Sequence, residues 1–126
     1  MNIYPSHASE YFPNDPASVR DARRLVAATL DASGVDPDIP VVITSELATN
    51  ALKHAETGFQ VSVTVEDDAV RIEVQDGAGE VGVASDIARD TGGLGLRLVE
   101  RLSTEWGVEI RGKDKAVWVR LPLAVS

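Results

Sequence analysis

Two periods run along the chain: apolar residues recur every three or four positions in some stretches and every second position in others, and that difference predicts its elements. Val19, Ala22, Val26 and Leu30 repeat at helical spacing until Gly34. Asp15 and Pro16 before them suit a cap and a first helical position, which predicts a helix over 16–32. Residues 38–55, DIPVVITSELATNALKHA, carry a conflict, because Val41, Val42, Ile43 and Thr44 are β-branched and favour a strand. The apolar pattern nevertheless continues through Leu47, Ala48, Ala51 and Leu52, well past strand length, and Pro40 suits a first turn. One largely buried helix is expected there, with apolar residues on two of its sides.

Residues 59–66, FQVSVTVE, alternate apolar with polar, and AVRIEVQ alternates again after Asp67-Asp68, which predicts an antiparallel hairpin. WGVEIR and AVWVRLPL predict a second hairpin across Gly112-Lys113-Asp114-Lys115. Residues 76–92 are rich in Gly, Asp and Ala and read as a loop, after which Leu94, Leu98 and Leu102 mark a third helix. Hairpins interrupted by helices, without regular βαβ alternation, predict an α+β layered fold with helices on one face of a sheet.

The length of 126 residues fits one domain spanning 1–126 with a core of its own. With 44% apolar and 25% charged residues the composition excludes disorder and fibrous repeats. There is no cysteine, so thiol nucleophiles and cysteine zinc sites are excluded, and His7 and His54 are the only imidazoles. Any metal must be held by oxygen. Twelve basic against twenty acidic residues give a formal charge of −8, which disfavours direct nucleic-acid binding. The start MNIYPSHASEYF lacks the basic and apolar regions of a secretion signal, and no window is long and apolar enough for a membrane span. A cytoplasmic protein without membrane contact is expected.

Candidate chemistry sits at three places. Glu46 and Asn50, four residues apart on the second helix, lie about 40° apart on its wheel and about 6 Å along its axis. Ile39, Val42, Ile43 and Leu47 share that side, so the two polar groups interrupt an apolar stripe and need partners. They are either a pair satisfied inside the fold or a ligand-facing site, where an amide oxygen suits Mg²⁺ and a carboxylate orients or deprotonates a nucleophile. Asp76, in VQDGAG, ends a strand before small residues; it is either a turn residue or a carboxylate accepting a hydrogen bond from a ligand amine. Thr91-Gly92-Gly93-Leu94-Gly95-Leu96 opens the third helix, where backbone N–H groups and the helix N-terminus favour an anion. Residues 107–114 imitate the spacing of a P-loop. Asp114 stands where Ser or Thr would be needed, and a strand pattern follows instead of a helix, so a charged hairpin turn is expected.

Taken in order, ELATNALKHA on a helix, VQDGAG after a strand and TGGLGL opening a helix resemble the N box and two glycine boxes of the GHKL ATP-binding superfamily. More narrowly, FPNDPASVRDARRL, SELATNALKHA, GGLGLRLVERLSTEWG and KAVWVRLPL resemble the stand-alone bacterial anti-sigma-factor serine/threonine kinases, over roughly residues 10–123. The resemblance implies a Bergerat, or histidine-kinase-like ATPase, fold, an α+β two-layer α/β sandwich with a mixed, mostly antiparallel sheet and helices on one face, holding ATP with Mg²⁺ and releasing ADP. It implies Glu46 as general base, Asn50 as the Mg²⁺ ligand and Asp76 as the adenine contact. Lys53 and His54 fall within the N box, either beside the phosphates or at a solvated helix end. Ala78, Gly92, Gly93, Leu94, Gly95 and Leu96 would line the nucleotide.

The chain departs from the superfamily pattern at Ala78 and Glu80, where the first box has glycines, and at Thr91, where the second has one. The function implied is an anti-sigma factor that phosphorylates an anti-sigma-factor antagonist protein, regulates transcription through a sigma factor and forms a homodimer. The alternative is a non-catalytic partner-binding module that keeps the fold and the nucleotide. A detached sensor-kinase catalytic domain fits less well, because that chemistry needs a phosphoacceptor histidine on a long helix pair.

Overall fold

The period-two segments form the middle of an open sheet. A computed structural model describes residues 6–77 and 94–125. Along them run β1 (His7–Phe12), α1 (Ala17–Ala32), α2 (Asp38–His54), β2 (Phe59–Val65), β3 (Ala69–Asp76), α3 (Leu94–Leu102), β4 (Glu105–Arg111) and β5 (Asp114–Pro122). The strand order is β1-β2-β3-β5-β4, and every pairing among the described residues is antiparallel, in keeping with the mostly antiparallel sheet expected.

Alternation assigns the two faces of the sheet. Val61 and Val63 on β2, Ile72 and Val74 on β3, and Val119 and Leu121 on β5 are buried against Ala22, Val26 and Leu30 of α1, Ile43 and Leu47 of α2, and Val99 of α3. Each large apolar side chain removed from water contributes about 1.5–3 kcal/mol. On the opposite face Glu73 accepts from Arg111 at 2.9 and 3.0 Å and from Arg71 at 3.2 Å, and the Arg71 guanidinium lies 5.5 Å from the Trp118 ring.

The helices match the expected spans closely. At the start of α1 the N-cap is Pro16 and not Asp15 as expected; Asp15, one residue further out, accepts from the Ala17 amide at 2.8 Å in a local turn rather than as the cap. In α2 the β-branched run stays helical because length and tertiary packing outweigh its strand preference. Two of its residues correct the expected apolar stripe: Ile39 and Val42 are 46% and 43% exposed, whereas Ile43 and Leu47 are buried. α1, the sheet and α3 pack against α2, and Ile39 and Val42 fall where these leave it partly uncovered.

Two further differences concern strands. β1 had no counterpart in the sequence reading; it is an edge strand held by pairing to β2, with His7 Nδ1 and Thr64 Oγ1 2.8 Å apart and Ser9 and Ser62 hydroxyls 3.0 Å apart. The β4–β5 turn is two residues, Gly112-Lys113, rather than four. Gly112 has φ +64°, a conformation open to glycine and suited to a tight hairpin, so Asp114 and Lys115 join the strand.

Candidate functional site

The inward alternation of β3 carries through Ile72 and Val74 to Asp76, whose residue is 4% exposed at the strand's last position. On β5 the same count runs back from Leu121 through Val119 and Val117 to Lys115, also on the helix-facing side and 2% exposed. Register places Asp76 directly opposite Lys115. The Lys115 ammonium lies 3.4 Å from Asp76 Oδ2, an ion pair inside the sheet's covered face. Lys115 was missed as a site residue because it followed Gly112, Lys113 and Asp114 and read as exposed turn. Counting by twos from Val117 is the signal that finds it.

Asn50, on α2, faces this pair. Leu47, Asn50 and Ala51 of the helix meet Val74, Asp76, Lys115 and Val117 of the sheet around a crevice of about 10 Å³, room for a single water. An aromatic base enters only if these side chains part. The structure thus brings Asn50 and Asp76 together. Glu46, half-buried one turn earlier on α2, does not line the crevice. Lys53 and His54 are exposed in the last turn of α2, where positive charge is favourable to the helix dipole. Leu94, Gly95 and Leu96, the last three residues of TGGLGL, form the first turn of α3. Ala78, Gly92 and Gly93, together with the departures at Glu80 and Thr91, lie outside the described residues.

The strand end carrying Asp76 is tied down from its other side. The Gly77 amide donates to Thr57 Oγ1 at 2.9 Å, and a Cβ at Gly77 would sit 2.7 Å from that oxygen. Asn14 Nδ2 in turn donates to the carbonyls of Ala55 and Thr57 at 2.7 and 3.1 Å, fixing the segment between α2 and β2. The chain after α2 and the end of β3 are therefore mutually braced.

Among the described residues no three His, Asp or Glu converge on a metal position. A divalent cation at Asn50 would take one protein oxygen and complete its shell with water and phosphate, the arrangement Mg²⁺ favours, so the donor set fits a metal arriving with a nucleotide. The expected P-loop imitation is resolved as well: residues 107–114 are β4, its turn and the start of β5.

An open antiparallel sheet covered on one face by helices, with a helix asparagine meeting a strand-end aspartate, defines an α+β sandwich of the histidine-kinase-like ATPase type. The family model for the histidine kinase-like ATPase domain matches residues 12–121, and the chain belongs to that family, of the GHKL type. Its fold is similar to that of the Acinetobacter baumannii histidine kinase AdeS, with a TM-score of 0.57 and 16% identity over 92% of this chain and 68% of that one. No curated protein matches the sequence.

Proposed function

We propose that this ATPase-type domain is an ATP-dependent serine/threonine protein kinase of the anti-sigma-factor kind, acting on an anti-sigma-factor antagonist protein in the cytoplasm. The observation that carries the nucleotide part is the meeting of Asn50 and Asp76 in one crevice between α2 and the ends of β3 and β5. Asp76 accepts the adenine amine, and Asn50 holds Mg²⁺, which on binding neutralises phosphate charge. Glu46, one helical turn from Asn50, accepts the proton of the acceptor hydroxyl as its oxygen bonds to the γ-phosphorus. The bond from that phosphorus to the bridging oxygen breaks, and ADP leaves with the bond's electron pair.

The sequence resemblance supports the choice of a protein hydroxyl as acceptor, a sigma factor as second partner and a homodimer as the working form. No helix among the described residues is long and apolar enough to cross a membrane. A second reading, the non-catalytic partner-binding module, is favoured by Ala78, Glu80 and Thr91 at positions where the superfamily has glycine. The two separate in one experiment: incubation with γ-labelled ATP and the co-purifying antagonist. Label on a serine or threonine of the antagonist supports the kinase. Nucleotide and partner binding without label supports the module, and label on His54 overturns the hydroxyl acceptor.

A further inference from the structure

The geometry points to Lys115 as a second base-reading residue of the nucleotide site, donating to the ring nitrogen beside the amino group that Asp76 accepts. The inference rests on the nucleotide reading above and adds a specificity-determining group from outside all three motifs.

Lysine is among the residues least often fully buried, and a buried ion pair is commonly no more stabilising than apolar residues of the same volume. Yet Lys115 and Asp76 occupy a directly opposed pair of positions with side chains 2% exposed, where β3 and β5 otherwise place Val, Ile and Leu. Packing alone is served better by the apolar residues found one step along, at Val74 and Val117. What the pair offers instead is chemistry: an acceptor and a cationic donor 3.4 Å apart at the wall of the crevice that Asn50 enters.

The six-position edge of adenine presents the complement. Its amino group donates, and the adjacent N1 accepts. A carboxylate reads only the amine, since it is acceptor-only, whereas an ammonium carries three donors and no acceptor and reads only N1. Side by side, Asp76 and Lys115 read both positions at once. The flexible four-carbon stem of Lys115 also allows its ammonium to shift as the base enters, so the crevice opens without removing the donor. In a site shielded from water such a charge-assisted bond is the stronger kind.

The test compares ATP with its 1-deaza analogue, in which a C–H replaces N1, by calorimetry on the wild type, Lys115→Met and Lys115→Gln. Wild type should bind the 1-deaza compound at least about tenfold more weakly, the scale of a lost charged hydrogen bond. In Lys115→Met that penalty should shrink to about twofold or less while ATP binding weakens. Lys115→Gln, which keeps an N–H donor, should retain most of the penalty, and it remains informative if Lys115→Met fails to fold. Equal binding of the two nucleotides by wild type overturns the inference and leaves the nucleotide reading intact. Tighter ATP binding by Lys115→Met also overturns it, because Lys115 would then be a plug. Absence of binding by wild type overturns both.

Discussion

Removing the carboxylate of Asp76 should damage the fold more than the loss of a small side chain suggests, and removing Lys115 as well should restore part of the loss. Asp76→Ala leaves a 2% exposed ammonium facing a cavity where its counter-charge stood 3.4 Å away. Breaking a buried pair by deleting one partner costs about 3–5 kcal/mol, mostly the penalty of an uncompensated charge. The unfolding entropy of a chain this long makes each kcal/mol worth about 4 °C, so the melting temperature should fall by about 12–20 °C. Replacing both, as Asp76→Ala with Lys115→Met, removes the stranded charge and fills the space, and should recover at least about 1.5 kcal/mol of the single variant's loss. Urea unfolding of wild type, both single variants and the double variant closes the cycle. If the double variant is as unstable as the sum of the singles, the two side chains do not interact and Lys115 is not buried by its pairing with Asp76. In the same proteins Asp76→Ala should also reduce the preference for ATP over GTP, since a carboxylate meets an acceptor oxygen at guanine's six position, while Lys115 keeps the part that rests on N1.

Asn50→Ala should weaken ATP binding measured with Mg²⁺ more than binding measured in EDTA, because the lost oxygen serves the cation; equal losses would remove Asn50 from the metal site. Glu46→Gln keeps shape and removes charge, so nucleotide affinity should hold while phosphoryl transfer to the antagonist slows by about 10²-fold or more, read in single turnover. Burial pushes the Glu73 carboxyl up, but the hydrogen bonds and charges of Arg111 and Arg71 outweigh it and hold it below the ordinary 4.5. A depressed folded value means the stability it adds is complete above 4.5 and disappears as pH falls through the folded value, so acid urea titrations of wild type and Glu73→Gln should differ above that window and converge below it. A constant difference from neutral pH down to about pH 3 would refute this assignment.

What could be read from the sequence and what could not divides along a physical line, between information carried by neighbours and information carried by partners far along the chain. β2, β3 and β5 announce themselves because one face is buried and the period of two is strict: Val61 and Val63, Ile72 and Val74, Val119 and Leu121. α2 was legible despite its β-branched run because the apolar pattern outlasted any strand. β1 was not, because HASEYF buries only Phe12 fully and its order comes from a strand some fifty residues later; Phe12 meets Phe59 with ring centroids 5.8 Å apart. Ile39 and Val42 misled for the opposite reason, since a helical wheel gives direction but not which directions have neighbours. Asn50 and Asp76 could be named as candidates from local motifs, whereas Lys115 required the register of two strands and the true length of a turn. Once Gly112 shortens that turn to two residues, Lys115 moves from solvent to the strand face that carries Val117 and Val119, and a charge that read as surface becomes the partner of Asp76. The site is thus written in two registers of the sequence, one local and one set only by strand pairing.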